Sequence, residues 1–228
     1  MRTPISSRTY PTAITPGPEV ELRTSIDLAI TWALQQQRSL GGQILVRVPN
    51  APVLREHPKL AALVKSHGAM TGTSRTRTWG WNGGPVIAAW LGRDEIGELA
   101  EDGRTRALVV LPWLHHEVAG WVAAAEPECL GGAPELALGE ALDPVAEQAM
   151  ETATILTFSG DSVRREYAVA VLLALRGGGH PIQPDAMYAW ALRRGWQQFG
   201  AERFRELAMQ AASGKGMRIG RPNPIRPD

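Results

Sequence analysis

Apolar positions along this chain recur with two different periods, and the changes of period mark its elements. From Thr24 the residues Ile26, Ile30, Ala33 and Leu34 fall on one stripe at helical spacing, with Trp32 beside it. Gly41-Gly42 ends that helix, and Gln43 to Val48 reads as a strand stopped by Pro49. A second helix starts at Pro58, a residue suited to a first helical position, carries Leu60, Leu63 and Val64, and closes at His67-Gly68. Residues 73–81 then alternate: Thr73, Arg75, Arg77, Trp79 and Trp81 on one side, Ser74, Thr76, Thr78 and Gly80 on the other. Asn82-Gly83-Gly84 is a turn signal and Pro85 to Leu91 an apolar strand, so the spacing predicts an antiparallel hairpin here. A helix over Asp94 to Ala100, a strand over Arg106 to Leu111 and a helix over His115 to Ala125 follow. Strands alternating with helices predict an α/β fold, an open mixed sheet with helices and one antiparallel hairpin.

The rest of the chain is helical in pattern. Asp143-Pro144 supplies a cap and a first helical residue, and three further helices are expected at about 161–176, 184–195 and 200–213, separated by Gly177-Gly178-Gly179 and Gly195. Phe204, Leu207, Ala208 and Ala211 make a core-facing stripe on the last of them. The resulting plan is a flexible arm at 1–19, an α/β domain at 20–125, an acidic linker at 126–142, a small helical bundle domain at 143–213 and a basic tail at 214–228.

Composition adds little to this plan except through charge. Of the 228 residues, 44% are hydrophobic and 21% charged, which is ordinary for a globular protein. The longest apolar run, Ala168 to Leu175, is far shorter than the ~20 residues a membrane span needs, so no membrane partner is expected. A single cysteine, Cys129, excludes an intrachain disulfide and points to a reducing, cytoplasmic setting. Residues 122–160 hold seven acids (Glu126, Glu128, Glu135, Glu140, Asp143, Glu147, Glu151) and no Lys or Arg, whereas residues 161–228 carry a net charge of +5. Such asymmetry suits a surface that meets an anion, or two segments that meet each other.

Several strong chemical signatures are missing. Gly214-Lys215-Gly216 lacks the long loop and the hydroxyl of a P-loop, and no GxGxxG follows a strand. There is no CxxC, and His116-Glu117 is followed by Gly120 where a zinc helix would place its second histidine. Thr157-Phe158-Ser159-Gly160 fails the nucleophile elbow at its first glycine. Cys129 lies among acids in a Pro/Gly-rich stretch, which argues against a nucleophilic role. No metal and no cofactor are expected from these patterns, and no motif ties the chain to a known family.

Three features carry candidate chemistry. Arg75, Arg77, Trp79 and Trp81 share one face of the predicted strand, pairing phosphate-binding forks with base-stacking indoles, as a single-stranded nucleic-acid platform requires. The competing explanation buries both Trp in the core and leaves the two Arg beyond its edge. Second, the loops after the strands bring Asn50, Arg93, Asp94, His115, His116 and Glu117 to the strand ends, where open α/β sheets bind ligands. His115, His116 and Asp94 could do acid–base work there, or Asp94 is a helix cap and the histidines first-turn surface residues. Third, the C-terminal helices resemble a helix-turn-helix in spacing, and Lys215, Arg218 and Arg221, with Arg226, could hold phosphates, although the exposed face of the last helix mixes Glu202, Arg203, Arg205 and Glu206.

The sequence reading is therefore a binding protein for nucleic acid or a nucleoprotein assembly. The alternatives are an enzyme acting on a phosphorylated or nucleotide-like small molecule at the strand ends, and an interaction subunit that docks on a protein partner. Oligomeric state is not encoded in any of these patterns.

Overall fold

The computed structural model describes residues 10–16, 18–74, 76, 80–132, 142–154, 162–194, 196–214 and 216–217. The elements run β1 (Thr12–Ile14), α1 (Pro18–Leu40), β2 (Leu45–Val48), α2 (Ala51–Glu56), α3 (Pro58–His67), β3 (Met70–Thr73), β4 (Gly84–Ala89), α4 (Arg93–Glu101), β5 (Thr105–Leu111), α5 (His115–Ala125) and β6 (Glu128–Cys129). Four helices follow: α6 (Pro144–Thr154), α7 (Ser162–Gly177), α8 (Pro184–Arg193) and α9 (Gln198–Ala212). The strands form one sheet in the order β3-β2-β4-β5-β1-β6, and every pairing among the described residues is parallel.

The α/β expectation is met, but the antiparallel hairpin is not. Every residue of β4 is buried, which is the mark of a parallel strand covered on both faces. β4 pairs with β2 on one side and β5 on the other, so no edge is left for a hairpin partner. The glycines that signalled a turn serve a different need. Gly83 and Gly84 have φ of 103° and 151°, and a Cβ on Gly84 would lie 2.5 Å from the Gln43 carbonyl oxygen. The Gly83 carbonyl accepts from Gln43 N–H and Gly84 N–H donates to the Arg104 carbonyl, both at 3.0 Å. The pair thus admits the chain to the centre of the sheet where neighbouring backbones crowd it. The alternation over 73–81 likewise does not make one long strand: β3 ends at Thr73, whose N–H donates to Thr76 Oγ1 at 2.7 Å and turns the chain.

A second difference lies near the amino terminus. The reading of 1–19 as an arm does not foresee β1, whose Ala13 and Ile14 are fully buried between β5 and β6. Its residues are too few to show an alternating pattern of their own. Much of the 126–142 and 214–228 segments lies outside the described residues. Asp143 performs as the sequence implies, its Oδ1 accepting from Val145 and Ala146 N–H at 3.0 and 3.1 Å. Among the described residues no helix is long and apolar enough to cross a membrane.

The two faces of the sheet are covered differently. On one, Val46, Val48, Ile87 and Val109 pack under Ile26, Ala29 and Ala33 of α1 and Leu60 and Leu63 of α3. On the other, Leu45, Val86 and Leu108 meet Ile96 of α4 and Val118 and Trp121 of α5, and the same apolar cluster runs on through Tyr188 and Phe204 into the C-terminal helices. Two glycines allow that close docking. A Cβ on Gly120 of α5 would lie 2.0 Å from Tyr188 Cε1, and one on Gly97 of α4 would lie 2.3 Å from Gln198 Cγ. Tyr188 and Gln198 are themselves buried, and the Tyr188 hydroxyl donates to Gln198 Oε1 at 2.7 Å. Burial, more than any neighbouring charge, holds the Tyr188 hydroxyl far above its ordinary pKa, so it stays a donor.

Glycine inside a helix is intrinsically worse than alanine by about 1 kcal/mol, so Gly120→Ala would stabilise a free helix. Here the steric conflict is larger, because the added Cβ would overlap the ring of Tyr188, which is itself fully buried. Gly120→Ala should lower stability by about 1–3 kcal/mol, read from the midpoint of denaturant unfolding. Gly177→Ala, at the last residue of α7 with nothing within 4 Å of its added Cβ, should leave stability unchanged or raise it by up to about 1 kcal/mol. Equal midpoints for the Gly120 variant and the unaltered chain would show that α8 does not press on α5 in this way.

Candidate functional site

Parallel strands put all their carboxyl ends on one edge, and the paths of the chain from that edge decide where it opens. After β2 the chain turns to α2 and α3, whose apolar residues pack on the face holding Val46 and Val48. After β4 it turns to α4, which packs on the opposite face. Because β2 and β4 are neighbours, their connections part over the same point of the edge and leave a crevice, the position where open α/β sheets accept ligands.

The crevice is furnished with an aromatic row. Trp90, the residue after β4, has φ of 56°, a left-handed conformation that a bulky side chain rarely adopts. Its N–H donates to the Leu111 carbonyl at 2.8 Å, so it is anchored at the end of the β4–β5 ladder. The His57 ring lies against it with centroids 4.2 Å apart and planes 36° apart. Trp113 also lies against it, at 5.8 Å and 41°. The three rings come from the α2–α3 junction, the loop after β4 and the loop after β5. Left-handed backbone at a residue other than Gly costs about 1–3 kcal/mol. Two aromatic contacts at about 0.5–1.5 kcal/mol each are of the size needed to offset it. Trp90 is buried, whereas Trp113 is 47% exposed and Leu114 beside it 44% exposed, so the row ends in an open indole surface.

Polar groups stand on the same strand ends and connections. Asn50 Oδ1 caps α2 by accepting from Val53 N–H at 3.1 Å. Arg47, near the carboxyl end of β2, donates through Nη1 to the Thr76 carbonyl at 2.8 Å, while its buried Nε has no acceptor among the described residues. Glu95 Oε2 accepts from Gly92 N–H at 3.4 Å, and its buried Oε1 likewise has no described donor. Arg93, the first residue of α4, donates through Nε to the Glu117 carbonyl on α5 at 3.3 Å and pairs through Nη1 with Glu202 on α9 at 3.2 Å. The guanidinium also sits over the Tyr188 ring, 5.3 Å from its centroid.

The residues singled out in the sequence distribute unevenly. β4 and β5 are parallel neighbours, with Ala88 opposite Val110, so the loops that lead to Asp94 and to His115 and His116 do open on one edge. Asp94 is exposed in the first turn of α4 and is not its cap, which is Gly92. His115 and His116 begin α5, but their side chains are not among those described. Trp81 stands at the other edge of the sheet, 2% exposed, donating to the Gln43 carbonyl at 2.7 Å with the Arg104 guanidinium over its ring, so its faces are occupied. Arg75, Arg77, Trp79, Lys215, Arg218 and Arg221 lie outside the described residues. The sequence reading found the loops and missed the rings. The available signal was that Trp90 and Trp113 each stand at or just beyond the end of an apolar strand run. Among the described residues no group of three or more His, Cys, Asp or Glu is arranged to hold a metal ion.

Partial burial lowers the pKa of His57, only partly opposed by the nearby Glu56 carboxylate. The native chain therefore favours the neutral ring more than the unfolded chain, whose imidazole titrates near about 6.5, does. Between the two values the unfolded chain binds more protons, so this contribution to stability is fully present above about pH 6.5 and is lost as the pH falls through the folded value. His57→Phe keeps a ring against Trp90 and removes the titration. Its melting temperature should fall less than that of the unaltered chain between about pH 7 and about pH 5. Parallel pH profiles would mean that His57 is not held neutral by its place in the row.

A family model described as "Domain of unknown function (DUF1889)" matches residues 142–228, the segment that holds α6 to α9. The match covers less than half of the chain, leaves the sheet and its carboxyl edge outside it, and makes the helical segment similar to that family. No curated protein and no solved structure matches the chain.

Proposed function

We propose that this protein binds a small molecule of the nucleotide class, with a flat heterocyclic ring and a phosphate, in the crevice at the carboxyl edge of the sheet. The observation that carries the reading is the row His57–Trp90–Trp113, which starts where the β2 and β4 connections part and ends in a half-exposed indole on the loop after β5. A heterocycle laid on Trp113 would continue the row. Every base offers such a face, and stacking on an aromatic side chain contributes about 1–3 kcal/mol.

The phosphate half of the reading has weaker support. α4 and α5 both start at this edge, and neither Gly92 nor Leu114 caps its helix with a side chain, so first-turn N–H groups point there. Arg47 adds a cation with an N–H unused by the described residues. Asp94, Glu95 and Glu117 in the same first turns reduce that positive field, so the ring rather than the phosphate should dominate affinity. The polynucleotide reading draws on residues outside the described set and on Trp81, whose ring is enclosed; no observation at the edge favours it.

Calorimetric titration of the full chain with AMP, adenosine and ribose 5-phosphate tests the reading. AMP and adenosine should bind and ribose 5-phosphate should bind weakly. Trp113→Ala should weaken AMP by about five- to 150-fold, the equivalent of one lost stacking contact, with little change in melting temperature because the side chain is half-exposed. Absence of AMP and adenosine binding at millimolar concentration, or equal affinity in Trp113→Ala, would remove the proposal.

A further inference from the structure

We propose that Arg93 is the positioning residue of the edge site, and that through it α9 governs how tightly the site holds its ligand. The inference rests on the reading of the edge as a nucleotide-class site. Its geometric basis is separate from that reading. Arg93 follows Trp90 by three residues and opens α4, so its backbone continues the loop that holds Trp90. Its Nε reaches the Glu117 carbonyl in the first turn of α5, the helix reached from Trp113. One guanidinium therefore ties together the two loops whose spacing sets the Trp90–Trp113 contact.

The same guanidinium is held from the far side by α9. Glu202 accepts from Arg93 Nη1 and also from Arg205 Nη1, both at 3.2 Å, and the side chains of Arg93 and Glu202 are each only 18% exposed. Gln198 Nε2 adds a long bond to the Arg93 carbonyl at 3.5 Å. An ion pair this shielded is not the loosely held surface kind. Removing Glu202 leaves the Arg93 charge with poor access to water, so the loop carrying it must shift to rehydrate it; removing Arg93 leaves Glu202 to Arg205 and cuts the tie between α9 and the loop. A shift of α9 or loss of Glu202 would thus be felt as a change in the angle between the two indoles. Trp90 holds its left-handed conformation at a cost in strain, so it depends on the contacts around it.

Double-mutant titration with AMP tests the inference on the full chain. Arg93→Gln and Glu202→Gln should each weaken AMP by between about two- and thirtyfold, the usual range for residues that modulate a site without touching its ligand. The double variant should be no weaker than the weaker single one, because both substitutions break the same link. Arg93→Lys, which keeps the charge, should retain part of the affinity. Arg203→Gln, on the exposed side of α9 and, among the described residues, paired within its own helix with Glu206, should match the unaltered chain. A readout without ligand accompanies these. The indole N–H resonances of Trp90 and Trp113, identified by Trp→Phe replacement, should move in Arg93→Gln and in Glu202→Gln.

If Trp113→Ala loses AMP while Arg93→Gln binds it as tightly as the unaltered chain, the edge site stands and the positioning role is overturned. An affinity loss that vanishes once the unfolded fraction is corrected for overturns it as well. If the unaltered chain binds no AMP, the edge-site reading fails. Unmoved indole resonances then overturn the tie to α9 too, while moved ones support it as a link between α9 and the β5 loop.

Discussion

A parallel sheet must be covered on both faces, and the rest of this molecule follows from how that cover is divided. β4 is the extreme case, with all six residues buried and neighbours on either side. One face is closed by α1 and α3, with α1 reaching across to β4 and β5 far along the chain. The other begins with α4 and α5, and its apolar cluster continues through α8 and α9. The helices of the C-terminal segment therefore do more than follow the sheet in sequence; they complete its hydrophobic cover. At Gly97 and Gly120 the backbones of α4 and α5 leave room for Gln198 and Tyr188, and the buried hydroxyl–amide bond between those two side chains fixes the contact.

The same division of cover creates the crevice. Neighbouring strands whose connections leave for opposite faces cannot close over the edge between them. What fills that gap here is a line of rings, each from a different connection. Trp90 is the centre of the line and the strained member, and the energies of strain and ring contact are comparable. Such a balance places the site on the least settled part of a rigid scaffold, where a modest external contact can shift the outcome.

How much of this could be read from the sequence varied with the kind of signal. Helical stripes such as Phe204, Leu207, Ala208 and Ala211 were legible because burial in a helix leaves a period. The Asp143-Pro144 cap was legible because it is local chemistry. Gly83-Gly84 was legible as a backbone peculiarity but not as to its cause, since a tight turn and a crowded entry to a central strand both require glycine. β1 could not be read because three residues carry no period and its partners lie far along the chain. The aromatic row was hidden for the same reason. His57, Trp90 and Trp113 are remote in sequence, and only the strand order β2-β4-β5 brings their loops together. Tyr188 and Gln198 owe their meeting to glycines on two other helices, which no local window contains.

The strand order also has a consequence for synthesis of the chain. β1 is made early, yet its pairing partners are β5 and β6, with Thr12 opposite Leu108 and Ala13 opposite Glu128. At ribosomal rates of about 5–20 residues per second, β1 must wait roughly 5–20 s before the β5 residues it pairs with exist. During that interval neither of its edges has its native partner, while β2, β3 and β4 can already assemble among themselves. Closure of the sheet around β1 is then a late, long-range event with a large loop to gather, and such steps are slow. Within the sheet, the β5–β1–β6 side would therefore be the last part to close.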